Sequence, residues 1–178
     1  MNPPFALKRS NEKEYKFIEH ALKQMQDGGI LFTVLPSSVM IKGGKTLQWR
    51  TQLLVNNTLL AVMTFPPDLF YPIGIHTIGV FIKKGIRHNP NNNVLWVRAI
   101  NDGLSKKKGK RLPNPKMPND LETIKHNLKA FLIDITHPIK NVPEFQTAKP
   151  INFNDTALEL VPEAYLDERL LSPNEIEQ

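Results

Sequence analysis

Asn2-Pro3-Pro4-Phe5 is the stretch of this 178-residue chain whose residue types and order lend themselves most directly to chemistry. An exocyclic amine on a purine is a poor nucleophile, because its lone pair is delocalised into the ring. To react with an electrophile such as a methyl sulfonium, the nitrogen must be drawn toward tetrahedral geometry and aimed. Two acceptors on the amine hydrogens accomplish this: an Asn carboxamide oxygen and a neighbouring main-chain carbonyl. Consecutive prolines fix φ and offer no competing N–H donor, so they hold that carbonyl in place. An aromatic side chain can then stack on the ring, offsetting part of what is lost when a base leaves a duplex.

Other chemistries find little support. The chain has no cysteine, which removes thiolate zinc sites, disulfides and a cysteine nucleophile. His20, His76, His88, His126 and His137 show no paired metal-ligand spacing, so no metal is expected. Gly43-Gly44-Lys45-Thr46 lacks the first glycine of a phosphate loop, since Val39 stands there, and no G-x-S-x-G is present. Charge is uneven: residues 1–118 carry a balance of +12 and residues 119–178 one of −6. A basic body favours a polyanion partner such as nucleic acid. Lys106, Lys107, Lys108, Lys110 and Arg111 form the densest basic run, suited to phosphates or to a solvated hinge. No apolar run reaches the ~18 residues of a membrane span and Asn2-Pro3-Pro4 is no secretory leader. Cytoplasm is the default expectation, with no membrane partner.

The elements that must position the motif read as α/β. Tyr15, Ile18, Leu22 and Met25 recur at helical spacing, predicting an amphipathic helix of about four turns from Asn11 to Gln26 that stops at Asp27-Gly28-Gly29. Ile30 to Pro36 is a continuous apolar run, the pattern of a strand buried on both faces in a parallel sheet. A helix over Thr46 to Asn56 and strands over Leu59 to Thr64, Thr77 to Ile82 and Val94 to Ala99 follow. Phe65 to Ile75 is an irregular loop between two of them. Ser105 to Arg111 and Pro113, Pro115 and Pro118 suggest a linker or mobile loop, and Asp120 can cap a helix from Leu121 to about Ile133. The remainder is punctuated by proline, with an apolar patch at Leu158 to Leu166.

Asn2 to Phe5 resembles the Asn-Pro-Pro-Tyr/Phe motif of amino-methyltransferases that use S-adenosylmethionine. Asp27-Gly28-Gly29-Ile30-Leu31-Phe32-Thr33-Val34-Leu35-Pro36 is similar to the helix-to-strand passage after that motif in N6-adenine DNA methyltransferases, particularly modification subunits of type I restriction-modification systems. Phe65 to Thr77, followed by Val80-Phe81-Ile82-Lys83-Lys84, is similar to their later loop and strand. The likeness covers about residues 2 to 111. It implies the carboxyl-side half of a Rossmann-like, S-adenosylmethionine-dependent methyltransferase sheet, followed by a proline-rich, partly helical tail. The corresponding division is a partial catalytic domain over 1–104, a basic, proline-rich linker over 105–118, and over 119–178 a helix plus extended tail leading toward a target-recognition region.

Carried over position by position, Asn2 and the Pro3 main chain hold the target amine, Pro4 stiffens the turn and Phe5 stacks on the base. Phe70 or Tyr71 supplies a second wall. In that family the Gly-rich cofactor loop and the acidic residue on the ribose precede the motif. The resemblance therefore implies an incomplete cofactor site, a chain that is split or truncated and inactive alone, and partners comprising DNA and an upstream methyltransferase half or a specificity subunit. Two other readings use the same residues: a methyltransferase acting on a protein glutamine or an RNA base, and a non-catalytic DNA-binding remnant.

Overall fold

Tyr15, Ile18 and Leu22 do form one face of a helix, α1 (Glu14–Gln24), with Ile18 and Leu22 buried. It is shorter than the expected four turns: Met25 turns extended, and Gly28 reverses the chain at φ +81°. The structure is a computed structural model that describes residues 1–3, 13–67, 69–70, 74–107 and 110–168. After α1 come β1 (Ile30–Pro36), a 3-10 turn (Ser37–Met40), α2 (Lys45–Asn56), β2 (Asn57–Thr64), β3 (Thr77–Lys84) and β4 (Asn93–Arg98). The strands read from periodicity are thus present, each within two residues of its expected limits.

The five-stranded sheet has the order β1-β3-β2-β4-β7, where β7 is Gln146–Pro150. Of its strand pairs only β2 and β4 are parallel; β3 runs antiparallel to both β1 and β2, and β7 antiparallel to β4. This corrects the expectation for β1. Leu31, Thr33 and Leu35 are buried, but Ile30 and Phe32 are 44% and 37% exposed. The reason is that α1 and α2 cover one face there, joining Leu31 and Leu35 to Ile18, Leu22, Trp49 and Leu53. On the other face α3 (Asp120–Ile133) packs Ile124 and Phe131 over Ala61, Met63, Leu95 and Val97 of β2 and β4. Phe32 and Phe81 lean on each other, ring centroids 4.6 Å apart.

The second half is more ordered than its composition suggests. The expected linker is a hairpin of β5 (Leu104–Lys107) and β6 (Lys110–Pro113), pairing Leu104 with Pro113 and Lys106 with Arg111. The helix cap is Asn119, whose side chain accepts from the Leu121 N–H at 3.1 Å. Asp120 instead accepts from the backbone N–H groups of Ile100 (2.9 Å) and Asn101 (2.7 Å), fastening the start of α3 to the end of β4. Beyond β7, Ile151, Leu158, Leu160, Val161 and Tyr165 join the core under α2.

Arg50 on α2 is fully buried and holds this crossing segment. Its guanidinium donates to the carbonyls of Leu158, Ala157, Val39, Ile41 and Lys42, at 2.8 to 3.3 Å. A buried cation is tolerated only when its donors are met, and here they are met by main-chain oxygens. Burial lowers the Arg50 pKa, while Glu159 and Asp155 pull it back.

Candidate functional site at the strand carboxyl ends

Met1 continues the sheet past its free edge. Its backbone nitrogen donates to the Phe32 carbonyl at 2.6 Å, and the Val34 N–H donates to the Met1 carbonyl at 3.0 Å. Those two bonds straddling Thr33 are the pattern of a parallel rung. Met1 therefore runs alongside β1, and Asn2 and Pro3 leave in the direction of that strand's carboxyl end. Asn2 is exposed and Pro3 buried; Pro4 and Phe5 lie outside the described residues.

That same end gathers the other pieces. β1 ends at Pro36, β2 at Thr64 and β4 at Arg98, and the antiparallel β3 begins beside them at Thr77. The Ser37 N–H donates to the His76 carbonyl (3.0 Å), Phe65 N–H to Thr77 (3.0 Å) and Ala99 N–H to Thr64 (2.9 Å). A cavity of about 550 Å³ opens there, lined by Ser37, Thr64, Phe65, His76, Arg98 and Glu163 among others. The Thr64 hydroxyl donates to the Glu163 carboxylate at 3.1 Å. In open α/β sheets this is where ligands bind.

Gly79 sets the floor beside it. A Cβ there would meet the Phe32 ring at 2.8 Å and the Phe65 ring at 3.1 Å. Only glycine lets both aromatic rings close over β3, so this residue places Phe65 at the start of the loop that carries Phe70. Phe70 is half-buried, and Tyr71 lies outside the described residues. Arg111, expected as a phosphate contact, is half-buried, pairs with Asp102 and donates to the Leu69 carbonyl at 2.9 Å. It thereby docks the basic hairpin against the Phe65 to Phe70 loop. Lys110 is exposed; Lys106 and Lys107 stand on β5, and Lys108 is outside the described residues.

The described residues do not fit a nucleoside cofactor. The strand ends lead into Pro36-Ser37-Ser38, Phe65-Pro66-Pro67 and Ala99-Ile100-Asn101, and the one Gly-Gly turn that opens a helix among the described residues, Gly43-Gly44 before α2, follows a 3-10 turn instead of a strand end. Gly79 is filled by rings instead of offering a cradle.

The sequence profile of the N-6 DNA Methylase family matches residues 2–166. The chain belongs to the N-6 DNA methylase family. The type II restriction enzyme and methyltransferase RM.BcgI of Heyndrickxia coagulans is 32% identical over 108 residues, which cover 58% of this chain and 17% of that protein. The type I restriction enzyme EcoKI methylase subunit of Escherichia coli is 27% identical over 128 residues, covering 63% and 24%. Among solved structures, the type I restriction-modification methyltransferase subunit of Streptococcus thermophilus superposes with a TM-score of 0.64 at 22% identity, over 86% of this chain and 30% of that one. The chain thus spans about a fifth of the curated relatives it matches. The fold is the carboxyl-side half of a Rossmann-like methylase sheet, as the sequence motifs imply.

Within this N-6 DNA methylase sheet, sequence reading located the Asn2 and Phe65 to Phe70 segments that the fold brings to one end. It missed Ser37, Arg98 and Glu163 as cavity residues. Ser37 and Arg98 carried a usable signal, standing at the carboxyl ends of recognised strands; Glu163 arrives from a distant segment with no local pattern.

Proposed function

We propose that this chain supplies the target-base side of an N6-adenine DNA methyltransferase of a restriction-modification system, with S-adenosylmethionine as methyl donor. The observation that carries the reading is the Met1 rung, which sends Asn2 and Pro3 toward the end of the sheet where the Phe65 loop and the cavity stand. The Asn2 carboxamide oxygen accepts one hydrogen of the adenine amine and the Pro3 carbonyl the other. Both bonds strengthen as the nitrogen becomes tetrahedral, so they favour the transition state over the ground state. Phe5 stacks on the extruded base, and Phe70 or Tyr71 closes the opposite face. Stacking offsets part of the few kcal/mol that base extrusion costs.

The lysines of the β5–β6 hairpin contact DNA phosphates without reading sequence. Arg111 serves this surface indirectly, by fixing the hairpin to the target-base loop. The cofactor pocket and sequence recognition are supplied from outside these residues, by an upstream methyltransferase half bearing the Gly-rich loop or by a specificity subunit, with residues 119–178 leading toward a target-recognition region. The catalytic unit in this reading is residues 1–104 with α3, β7 and residues 151–165 completing its core, and 105–118 carry the DNA-facing hairpin.

The test mixes the chain with a cofactor-binding methylase half and labelled S-adenosylmethionine, offering duplex DNA, ribosomal RNA and a release factor as acceptors. Label recovered as N6-methyladenine in DNA is the expected result. Label in RNA or on a protein glutamine would move the chain to another amino-methyltransferase class. Salt-dependent DNA binding with no transfer to any acceptor would make it a non-catalytic module.

A further inference from the structure

The two faces of the sheet are covered unevenly. α1 and α2 pack across one of them. On the other, α3 lies over β2 and β4 and reaches β3 only at half-buried Phe81. The cross-strand register puts Ile30 beside Lys83 and Phe32 beside Phe81 on that second face, and no helix among the described residues covers Ile30 or Phe32. A groove of about 280 Å³ continues the open strip toward the end of α3, lined by Ile30, Leu60, Ile86 and Ile133, with Lys83 and Asp134 at its polar rim. Ile86 is 47% exposed and Ile133 80%. Asp134 already accepts from the Thr136 N–H and hydroxyl, at 2.9 and 2.7 Å. Isolated exposed apolar residues are ordinary, whereas a contiguous strip of them rimmed by polar groups marks an interaction surface.

The free edge of β1 indicates what covers this strip. Met1 takes the edge positions at Phe32 and Val34 as a parallel rung, so a second copy of the chain is denied continuous edge-to-edge pairing through β1. A strand laid in line with Met1 extends the sheet in parallel, and parallel sheets bury both faces under helices. From β3 through β1 to the Met1 line is two strand spacings, about 10 Å. One helix, at about 10–12 Å across, fills that width beside α3.

We propose that this strip seats one amphipathic helix of the cofactor-binding methylase half, its apolar side on Ile30, Phe32, Ile86 and Ile133 and its polar flanks toward Lys83 and Asp134. The identity of that half rests on the methyl-transfer reading. The strip runs on into the site, because the Phe32 and Phe65 rings both lie against Gly79. A helix seated on Phe32 therefore borders the start of the target-base loop.

The probe is the part of the Streptococcus thermophilus methyltransferase subunit that precedes the region superposed on this chain, co-expressed with the full chain and then titrated against it. Ile30→Glu and Ile133→Lys place charges of opposite sign at exposed positions, so the unfolding midpoint should stay near native in both. Each should weaken the complex roughly tenfold or more, whichever charge is introduced. Val55→Lys, 42% exposed on α2 and on the opposite face, should leave the affinity unchanged. The proposal is overturned if the native chain does not bind the half, if Ile30→Glu or Ile133→Lys binds as tightly as the native chain, or if Val55→Lys weakens binding as much as they do. It is also overturned if sedimentation shows the native chain self-associating and Ile30→Glu restoring a monomer, the strip then joining two copies. N6-methyladenine formation, read in the same mixtures, separates the two claims. A complex sensitive to both substitutions but without transfer removes the methyl-transfer reading and leaves the docking surface, whereas transfer with an affinity indifferent to both removes the surface and leaves the reading.

Discussion

Trp96 of β4 stacks face to face on Tyr165, ring centroids 3.7 Å apart and planes 2° from parallel. Trp96 Nε1 donates to the Lys149 carbonyl of β7 at 3.0 Å, and the Tyr165 hydroxyl accepts from the Asn152 N–H at 3.4 Å. Burial raises the pKa of that hydroxyl. The pair ties the central parallel strand to a segment almost seventy residues away, which makes residues 151–165 part of the core that supports the site.

Tyr165→Ala is accordingly expected to cost about 3–5 kcal/mol, the range for removing a large buried aromatic side chain, whereas Tyr165→Phe keeps the stack and costs about 1 kcal/mol. Urea unfolding of the two variants checks this. Equal midpoints for Tyr165→Ala and the native chain would mean that the stack contributes nothing.

Gly79→Ala tests the floor of the site. With a Cβ 2.8 Å from the Phe32 ring and 3.1 Å from Phe65, one ring must move, at about 1–3 kcal/mol. Adding Phe32→Ala should return part of that stability by emptying the half-exposed neighbour. Thermal unfolding of the single and double variants gives the coupling; simple additivity would show that the rings are not in the way.

His88 makes stability depend on pH. Its native pKa of about 4 lies below the ordinary 6.5, so between those values the unfolded chain binds more protons. The stability tied to its neutral form is present above the unfolded value and is lost as pH falls from there toward the native value. Between pH 7 and pH 5 the loss should be about 2 kcal/mol, absent in His88→Leu. Urea unfolding at the two pH values measures it, and an identical pH slope in both proteins would contradict the assignment.

The hairpin lysines should govern salt dependence. Lys107→Ala with Lys110→Ala removes two phosphate contacts and should lower the slope of log affinity against log salt by about 1.8, with no change in sequence preference. Fluorescence anisotropy on duplexes of different sequence distinguishes this from a hairpin that only packs, for which the slope stays as it was.

Much of this was legible because burial imposes periodicity. Tyr15, Ile18 and Leu22 mark a helix, and the runs at Ile30, Leu59, Thr77 and Val94 mark strands. The strand Gln146–Pro150 was not, since Gln-Thr-Ala-Lys-Pro shows neither apolar alternation nor β-branched enrichment, and its place comes from pairing with β4. The β5–β6 hairpin hid behind its charge: Lys106 to Arg111 has the composition of a solvated run, and the Asp102 and Leu69 contacts of Arg111 depend on tertiary approach. Arg50 reads as one more surface cation on an amphipathic helix until the carbonyls of Ala157 and Leu158 arrive from the far end of the chain. For the site, the motif itself named Asn2, while the rung that orients it required the strand partner.

The most direct test of the account is Asn2→Ala in the assembly of this chain with a cofactor-binding methylase half, measuring N6-methyladenine formation on duplex DNA by mass spectrometry. Loss of one acceptor aimed at a developing charge should slow transfer about 100-fold or more, while DNA affinity stays unchanged. Transfer at the native rate with Asn2 replaced would contradict the central claim that this residue holds the target amine.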